Sequence, residues 1–188
     1  STMIKLELLS ETDFPQIVTW VNQYSRDFMV QWSGKTYEYP LTVDQMKAHY
    51  SRGINSIESD VFIYKIMDDG RFVGSVQLCR FNWETREAVV GRFLIGEETN
   101  RGRGIGKKAL NELVRIGFHQ FGLETIKLNV YEFNRQAIKC YESVGFRKSL
   151  YREKMYQDSN GVWWNNFEMT LRKEDWLKQF KEDIVAGE

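Results

Sequence analysis

The chain is short of several kinds of residue, and each shortage removes a class of protein. Cysteine occurs twice, at Cys79 and Cys140, with no paired metal spacing, and histidine twice, at His49 and His119, on separate segments. A zinc site needs clustered thiolates or imidazoles, and a disulfide scaffold needs more half-cystines, so neither is expected. Proline also occurs twice, at Pro15 and Pro40, and no Ser/Gly-rich linker or internal repeat divides the chain. Net charge is lacking too, because 26 Lys plus Arg balance 26 Asp plus Glu. A polyanion is bound by displacing its counterions with a basic excess, so no nucleic-acid partner is expected. No run approaches the roughly 18 apolar residues of a membrane span, and no secretory signal is read at the start. The expected location is the cytoplasm, with no membrane partner.

What is present suits a folded domain. At 188 residues the chain exceeds by little the roughly 150 residues of an average domain. Hydrophobic residues make up 42 % and charged ones 28 %, enough apolar surface to fold without cross-links. Residues 4–9 read as a strand, and 11–24 as a helix with Phe14, Ile17, Val18 and Val21 on one face. Residues 31–41 read as irregular and aromatic. Thr42 and Gln45 open a second helix running to about Tyr50. Residues 61–67 and 72–81 are apolar runs joined through Asp69-Gly70, a hairpin signal. A strand at 87–95, a glycine-rich loop and a helix at about 104–121 follow. Residues 125–131 read as a buried strand, and Asn134 caps a helix that ends before Gly145. Residues 146–156 and 162–171 form a last hairpin, and Trp176, Leu177, Phe180 and Ile184 give the tail an amphipathic helix. A meander first and crossovers later indicate a mixed α/β sheet.

The glycine-rich loop runs Asn100-Arg101-Gly102-Arg103-Gly104-Ile105-Gly106-Lys107-Lys108, from a strand into a helix. Its glycines permit a tight turn, and the first N–H groups of the helix lack internal partners and carry positive partial charge. Arg101, Arg103, Lys107 and Lys108 add four cations, and the first acid inside the helix is Glu112. Such an arrangement can cradle phosphates. A Walker loop fails on spacing, because three residues rather than four separate Gly102 from Gly106 and Lys108 stands where Ser or Thr is needed. Gly104-x-Gly106-x-x-Ala109 fits the dinucleotide pattern, yet about half a dozen residues separate it from its strand and Tyr131 ends the next one. The pattern Arg101-x-x-Gly104-x-Gly106 remains. The competing reading is a solvated basic turn.

A second segment follows: Asn129-Val130-Tyr131-Glu132-Phe133-Asn134-Arg135-Gln136-Ala137-Ile138-Lys139-Cys140-Tyr141-Glu142-Ser143-Val144-Gly145-Phe146. With both motifs in this order, the chain resembles the GNAT superfamily of acetyl-CoA-dependent N-acetyltransferases, most closely its RimJ/RimL-like branch. The resemblance runs from the first strand to the final hairpin and is specific from Ala88 to Phe146. It implies a mixed, mostly antiparallel seven-stranded sheet flanked by about four helices, with splayed central strands. It also implies one catalytic domain over 3–172 and a helical tail over 173–188.

The site residues follow from the same resemblance. The main chain of Phe93, Leu94 and Ile95 would pair with the pantetheine arm of coenzyme A. The backbone of Gly102, Arg103, Gly104, Ile105, Gly106 and Lys107, with the Arg101 and Arg103 side chains, would hold the pyrophosphate. Asn134 matches a coenzyme-contacting position and is also a plain N-cap. Arg135 and Lys139 could reach the nucleotide. Tyr141 matches the general acid, because a phenol can give a proton to the departing thiolate. Polyamine-acetylating relatives carry a strand Glu where this chain has Val89. Glu87 points to the same face two residues earlier and is the expected base, with Glu84 as the fallback. Trp32, Tyr37, Tyr39 and Trp83 would line the acceptor cleft, with Tyr50, Trp163, Trp164 and the acid Glu38 nearby. Acetyl-CoA is the expected co-substrate, with no metal. The expected reaction is direct transfer to a primary amine without an acyl-enzyme, Cys140 having no His partner nearby in sequence. The acceptor is a peptide N-terminus, a polyamine, an aminoglycoside or an amino sugar. The alternative is a non-catalytic acyl-CoA-binding or regulatory module on the same fold. The chain would act as a monomer or homodimer.

Overall fold

A computed structural model describes residues 3–97 and 104–186, the last six of these as helical backbone only. Strand β1 (Ile4–Leu8) leads into a 3-10 turn (Glu11–Asp13) closed by a capping box, in which Ser10 and Asp13 each accept from the other's end of the turn. Helices α1 (Phe14–Asn22), α2 (Arg26–Ser33) and α3 (Val43–His49) follow. Strands β2 (Val61–Asp68) and β3 (Arg71–Asn82) meet at Asp69 and Gly70, both at positive φ (49° and 85°), as a two-residue hairpin requires. Strand β4 (Glu87–Ile95) precedes α4 (Ile105–Arg115), which continues as a wider π turn over Ile116–Gln120. The chain ends with β5 (Thr125–Tyr131), α5 (Arg135–Val144), β6 (Arg147–Gln157), β7 (Trp163–Arg172) and α6 (Lys173–Ala186).

The seven strands form one sheet in the order β1-β2-β3-β4-β5-β7-β6, and only β4 with β5 is parallel among these pairs. This is the mixed, mostly antiparallel seven-stranded sheet expected from the sequence, flanked by six α-helices rather than about four. One of the added helices is α2, in a stretch whose second half the sequence reading leaves irregular. Ser25 caps it by accepting from Phe28 N (3.1 Å), and Met29, Val30 and Trp32 turn inward. The other, the tail helix α6, is the helix the sequence reading places in the tail, counted apart from the four that flank the sheet.

The helices divide between the two faces of the sheet. On one face α4, α5 and α6 pack Ile105, Leu113, Val114, Ile138 and Trp176 against Ile66, Val76, Leu128 and Met169. On the other, α1 to α3 pack Phe14, Ile17, Trp20, Met29 and Met46 against Ile63 and Leu94. Trp176 lies 5.2 Å from the Phe118 ring, and Gln179 donates to the Val144 carbonyl at the end of α5, so α6 is seated on the first core. Among the described residues no helix is long and apolar enough to cross a membrane.

Two departures from regular pairing open the sheet at its centre. Strand β4 pairs with β5 from Glu87↔Thr125 to Val90↔Leu128 and no further. Beyond that point β5 stays with β7 through Tyr131↔Asn166, and β4 stays with β3 through Ile95↔Gly74. The register with β3 also slips. Gln77 faces Gly91 and Ser75 faces Leu94, so β4 carries an extra residue here. The bulge centres on Arg92, whose φ of +47° is a left-handed conformation costing a non-glycine residue of order 1–3 kcal/mol.

Candidate active site

The gap between β4 and β5 opens into a cavity of about 610 Å³. Its β5 side is formed by Leu128, Asn129, Val130 and Tyr131, with Asn134 and Tyr141 from the α5 region and Asn166 from β7. Its other side comes from β3 and β4, through Gln77, Cys79, Val89 and Arg92, and from the α2–α3 region, through Trp32, Thr36, His49 and Tyr50. The fold thus brings the segment from Asn129 to Tyr141 to the gap together with the α2–α3 region.

At the motif end, two helix starts meet the splayed strands. Gly104 caps α4 at φ +76°, a conformation glycine adopts without strain, and its side-chain-free cap leaves the first amides of α4 unclaimed by any cap. A Cβ on Gly106 would stand 3.9 Å from Phe93 Cζ, so this helix start lies against the gap. Asn134 Oδ1 accepts from Ala137 N (3.4 Å) as the N-cap of α5, and the same residue lines the cavity. Its two readings, cap and ligand contact, are geometrically compatible.

Tyr141 is half-buried, packs against the first core and lines the cavity. Its hydroxyl makes no hydrogen bond to another described residue. Burial pushes the phenol's pKa above its usual range, which favours the protonated form. Cys140, beside it, is half-buried, and burial raises its thiol pKa while Lys107 opposes the shift. Cys79 lines the cavity and donates to the Val89 carbonyl (3.5 Å), and burial raises its pKa too. At both sulfurs burial disfavours the charged thiolate.

The remaining expected residues divide. Phe93 and Trp32 line the cavity. Leu94 is buried in the second core and Ile95 packs on the first, so these two offer the gap main chain alone. Ile105 is likewise buried, and Gly106 and Lys107 lie in the first turn of α4. Lys139 and Arg135 are exposed on α5. Arg101, Gly102 and Arg103 fall outside the described residues.

Glu87, expected as the base, is not brought to the cavity. Its carboxylate accepts from Thr85 Oγ1 (2.7 Å) and pairs with Lys127 (3.3 Å), and these partners, Thr85 first, hold its pKa below the usual carboxylate value. Trp83 is also elsewhere. It stacks on Phe81 at 4.8 Å and neighbours Phe121, on the far side of the β3–β4 turn. The Tyr39 hydroxyl is spent on the Asn22 and Tyr24 carbonyls and does not line the cavity. Tyr37 stands one layer back, behind Arg92.

Arg92 is the functional candidate that sequence reasoning missed. The bulge directs it into the cavity, where Nη1 donates to the Tyr37 (3.1 Å) and Tyr50 (2.7 Å) hydroxyls and Nη2 to Thr36 Oγ1 (3.0 Å). Its guanidinium carbon also lies 5.1–5.8 Å from the ring centres of Trp32, Tyr37 and Tyr50. The Tyr50 hydroxyl passes the chain on to Gln77 Oε1 (3.0 Å). One signal was available, a lone cation after a glycine inside an apolar strand.

A mixed sheet split between its parallel strands, with a bulge on one and a helix start beside the gap, leaves a cleft through the sheet. The family model described as the acetyltransferase (GNAT) family matches residues 18–146. The chain belongs to this family and is an N-acetyltransferase. It is 28 % identical over 154 residues to aminoglycoside N(6')-acetyltransferase type 1 of Klebsiella pneumoniae, covering 77 % of this chain and 74 % of that one. It is 28 % identical over 144 residues to a probable N-acetyltransferase of Bacillus subtilis, covering 74 % and 77 %. In fold it is similar to spermidine N-acetyltransferase from Vibrio cholerae, solved in complex with CoA and spermine. The TM-score is 0.78 at 22 % identity, over 93 % of this chain and 98 % of that one.

Proposed function

We propose that the chain transfers the acetyl group of acetyl-CoA directly to a primary amine, within one cavity and without an acyl-enzyme. The observation that carries this reading is the gap between β4 and β5, which opens onto a cavity lined by both Tyr141 and Asn134. Acetyl-CoA, when bound, supplies an activated acetyl thioester. The main chain of Phe93, Leu94 and Ile95 would hold its pantetheine arm, because past Val90 that edge of β4 has no strand partner. The amides from Gly104 to Lys107 and the Arg101–Arg103 segment would hold its phosphates, with Asn134 and Lys139 beside them.

Tyr141 keeps a proton on Oη for the departing sulfur. Burial raises its pKa, and the same dry surroundings raise that of a thiolate formed beside it, so the transfer stays matched. The two thiols, both shifted away from the thiolate, support a direct route. The acceptor enters as the free amine, since Glu87 is engaged elsewhere. The motif residues from Asn129 to Phe146 are the ground for a RimJ/RimL-like assignment. The catalytic unit is 3–172 with a tail over 173–188, acting in the cytoplasm as a monomer or homodimer.

The test is thiol release from acetyl-CoA across a panel of amines. Release that needs both acetyl-CoA and an amine is expected. Release with acetyl-CoA alone, leaving an acetylated protein, would refute direct transfer.

A further inference from the structure

The acceptor end of the cavity carries the wrong charge for a polycation. Arg52, Arg80 and Arg92 line it against one carboxylate, Asp60, whose Oδ1 already accepts from Phe81 N (3.3 Å). Among the described residues none of these three arginines is in an ion pair. The three acids the sequence reading places at or near the site lie elsewhere. Glu87 is paired with Lys127, Glu84 is exposed on the turn that holds Trp83, and Glu38 is exposed, its N–H bound to Gln45.

Arg92 is built in rather than left over. It is half-buried on a strained bulge, and every partner it has is neutral: three hydroxyls and three ring faces. Hydroxyls orient a guanidinium without cancelling its charge. The Trp32 ring packs beside it, its centre 5.8 Å from the guanidinium carbon, while the buried Trp32 Nε1 and Asn166 Oδ1 are closed off from open space. The cavity therefore offers a cation whose charge no described carboxylate pairs with.

We propose that the acceptor is an amine that also bears an anionic oxygen group, a carboxylate or a phosphate, held by the Arg92 guanidinium. This rests on the acetyl-transfer reading and narrows its substrate. The amine nitrogen bonds the acetyl carbon and the carbon–sulfur bond breaks. The sulfur leaves as the thiol with the Tyr141 proton, and the nitrogen gives up one proton that restores the balance. Arginine presents its N–H groups in a fork that fits two oxygens at once, which suits either anion.

The experiment compares matched acceptors on the wild-type enzyme, so that no variant need fold. Amino acids are set against their amides, glucosamine 6-phosphate against glucosamine, and both against spermidine and kanamycin, with kcat/KM read from thiol release. The anionic member is expected to exceed its neutral match by at least tenfold, and the arm in which it does so identifies carboxylate or phosphate. Equal rates within each pair, or faster turnover of the polycations, would overturn the proposal and leave acetyl transfer standing. Thermal stabilisation by acetyl-CoA without release from any member would also overturn it, with cofactor binding intact. Absence of stabilisation would sink the transferase reading itself. Arg92→Gln is expected to raise KM for the anionic acceptor at least tenfold and to leave the affinity for acetyl-CoA unchanged. An unchanged acceptor KM in that variant would refute the role of Arg92.

Discussion

Tyr141 shows how much one hydroxyl can be asked to do. Its ring is held by the first core and its Oη has no described partner, so Tyr141→Phe removes a proton donor and orphans nothing. General acids contribute roughly 10²- to 10⁴-fold. The variant should lose at least about a hundredfold in kcat while its melting temperature and acetyl-CoA affinity stay near wild type; a rate within a few-fold would remove Tyr141 from the acid role. The pH profile follows from the direction of the pKa shift. An acid must be protonated to act, and burial raises this pKa, so the working window extends upward. The rate should climb as the acceptor's ammonium loses its proton and then level off, with no descending limb below about pH 10, the ordinary phenol value. Glu87 makes the opposite case. The period-two argument put it on the face of Val89, which does line the cavity, but two residues along a strand are about 6.7 Å. Over that distance it finds Thr85 and Lys127 instead. Glu87→Gln should change kcat/KM by less than about twofold, at the level of an exposed ion pair's small worth; a hundredfold loss would restore it as the base. The position of Tyr141 and Asn134 at the cavity was legible because their motif fixes both a helix start and a helix face. Arg92 was not, because a bulge overrides strand alternation and only the paired register reveals it.

At the scale of elements, the legible parts were those with local signals. Asp69-Gly70 specified its hairpin, Asn134 and Gly145 bounded α5, and Gly104 opened α4. Helix α2 has a cap and an inward face of Met29, Val30 and Trp32, but it is only eight residues long and its second half runs into the aromatic stretch. It matters functionally because it carries Trp32 to the cavity. Ser25→Ala removes the acceptor for Phe28 N and should cost about 1 kcal/mol of stability. The loss is at the start of an eight-residue helix whose last turn holds Trp32, so loosening it should raise the acceptor KM and leave the acetyl-CoA KM unchanged. Equal changes in both constants would mean that α2 supports the whole cavity rather than its acceptor end. Trp83 failed at this same scale. A turn tryptophan next to a cleft strand reads as a cleft residue, but Phe81 and Phe121 offer it two aromatic faces on the outside.

The whole molecule places its opening between two cores. One core joins the sheet to α4, α5 and α6, and the other joins it to α1, α2 and α3. The cavity takes residues from both groups and from the two strands that part between them. A chain with equal numbers of acids and bases looks featureless in sum, yet four cations fall within residues 101–108 of the sequence, and Arg52, Arg80 and Arg92 line the cavity. A coenzyme held in the split would add contacts that the unfolded chain lacks, so its binding should appear as stability. Acetyl-CoA at 100 times its dissociation constant should add about 2.7 kcal/mol. For a chain of this size each kcal/mol moves the melting temperature by about 2–4 °C, so a rise of roughly 5–10 °C is expected. The rise should survive Arg92→Gln, which touches the acceptor end, and should shrink when Arg101 and Arg103 are both replaced by Ala. A full-sized rise in that double variant would mean that the phosphates are held by the α4 amides alone, and no rise in the wild type would deny the gap its coenzyme.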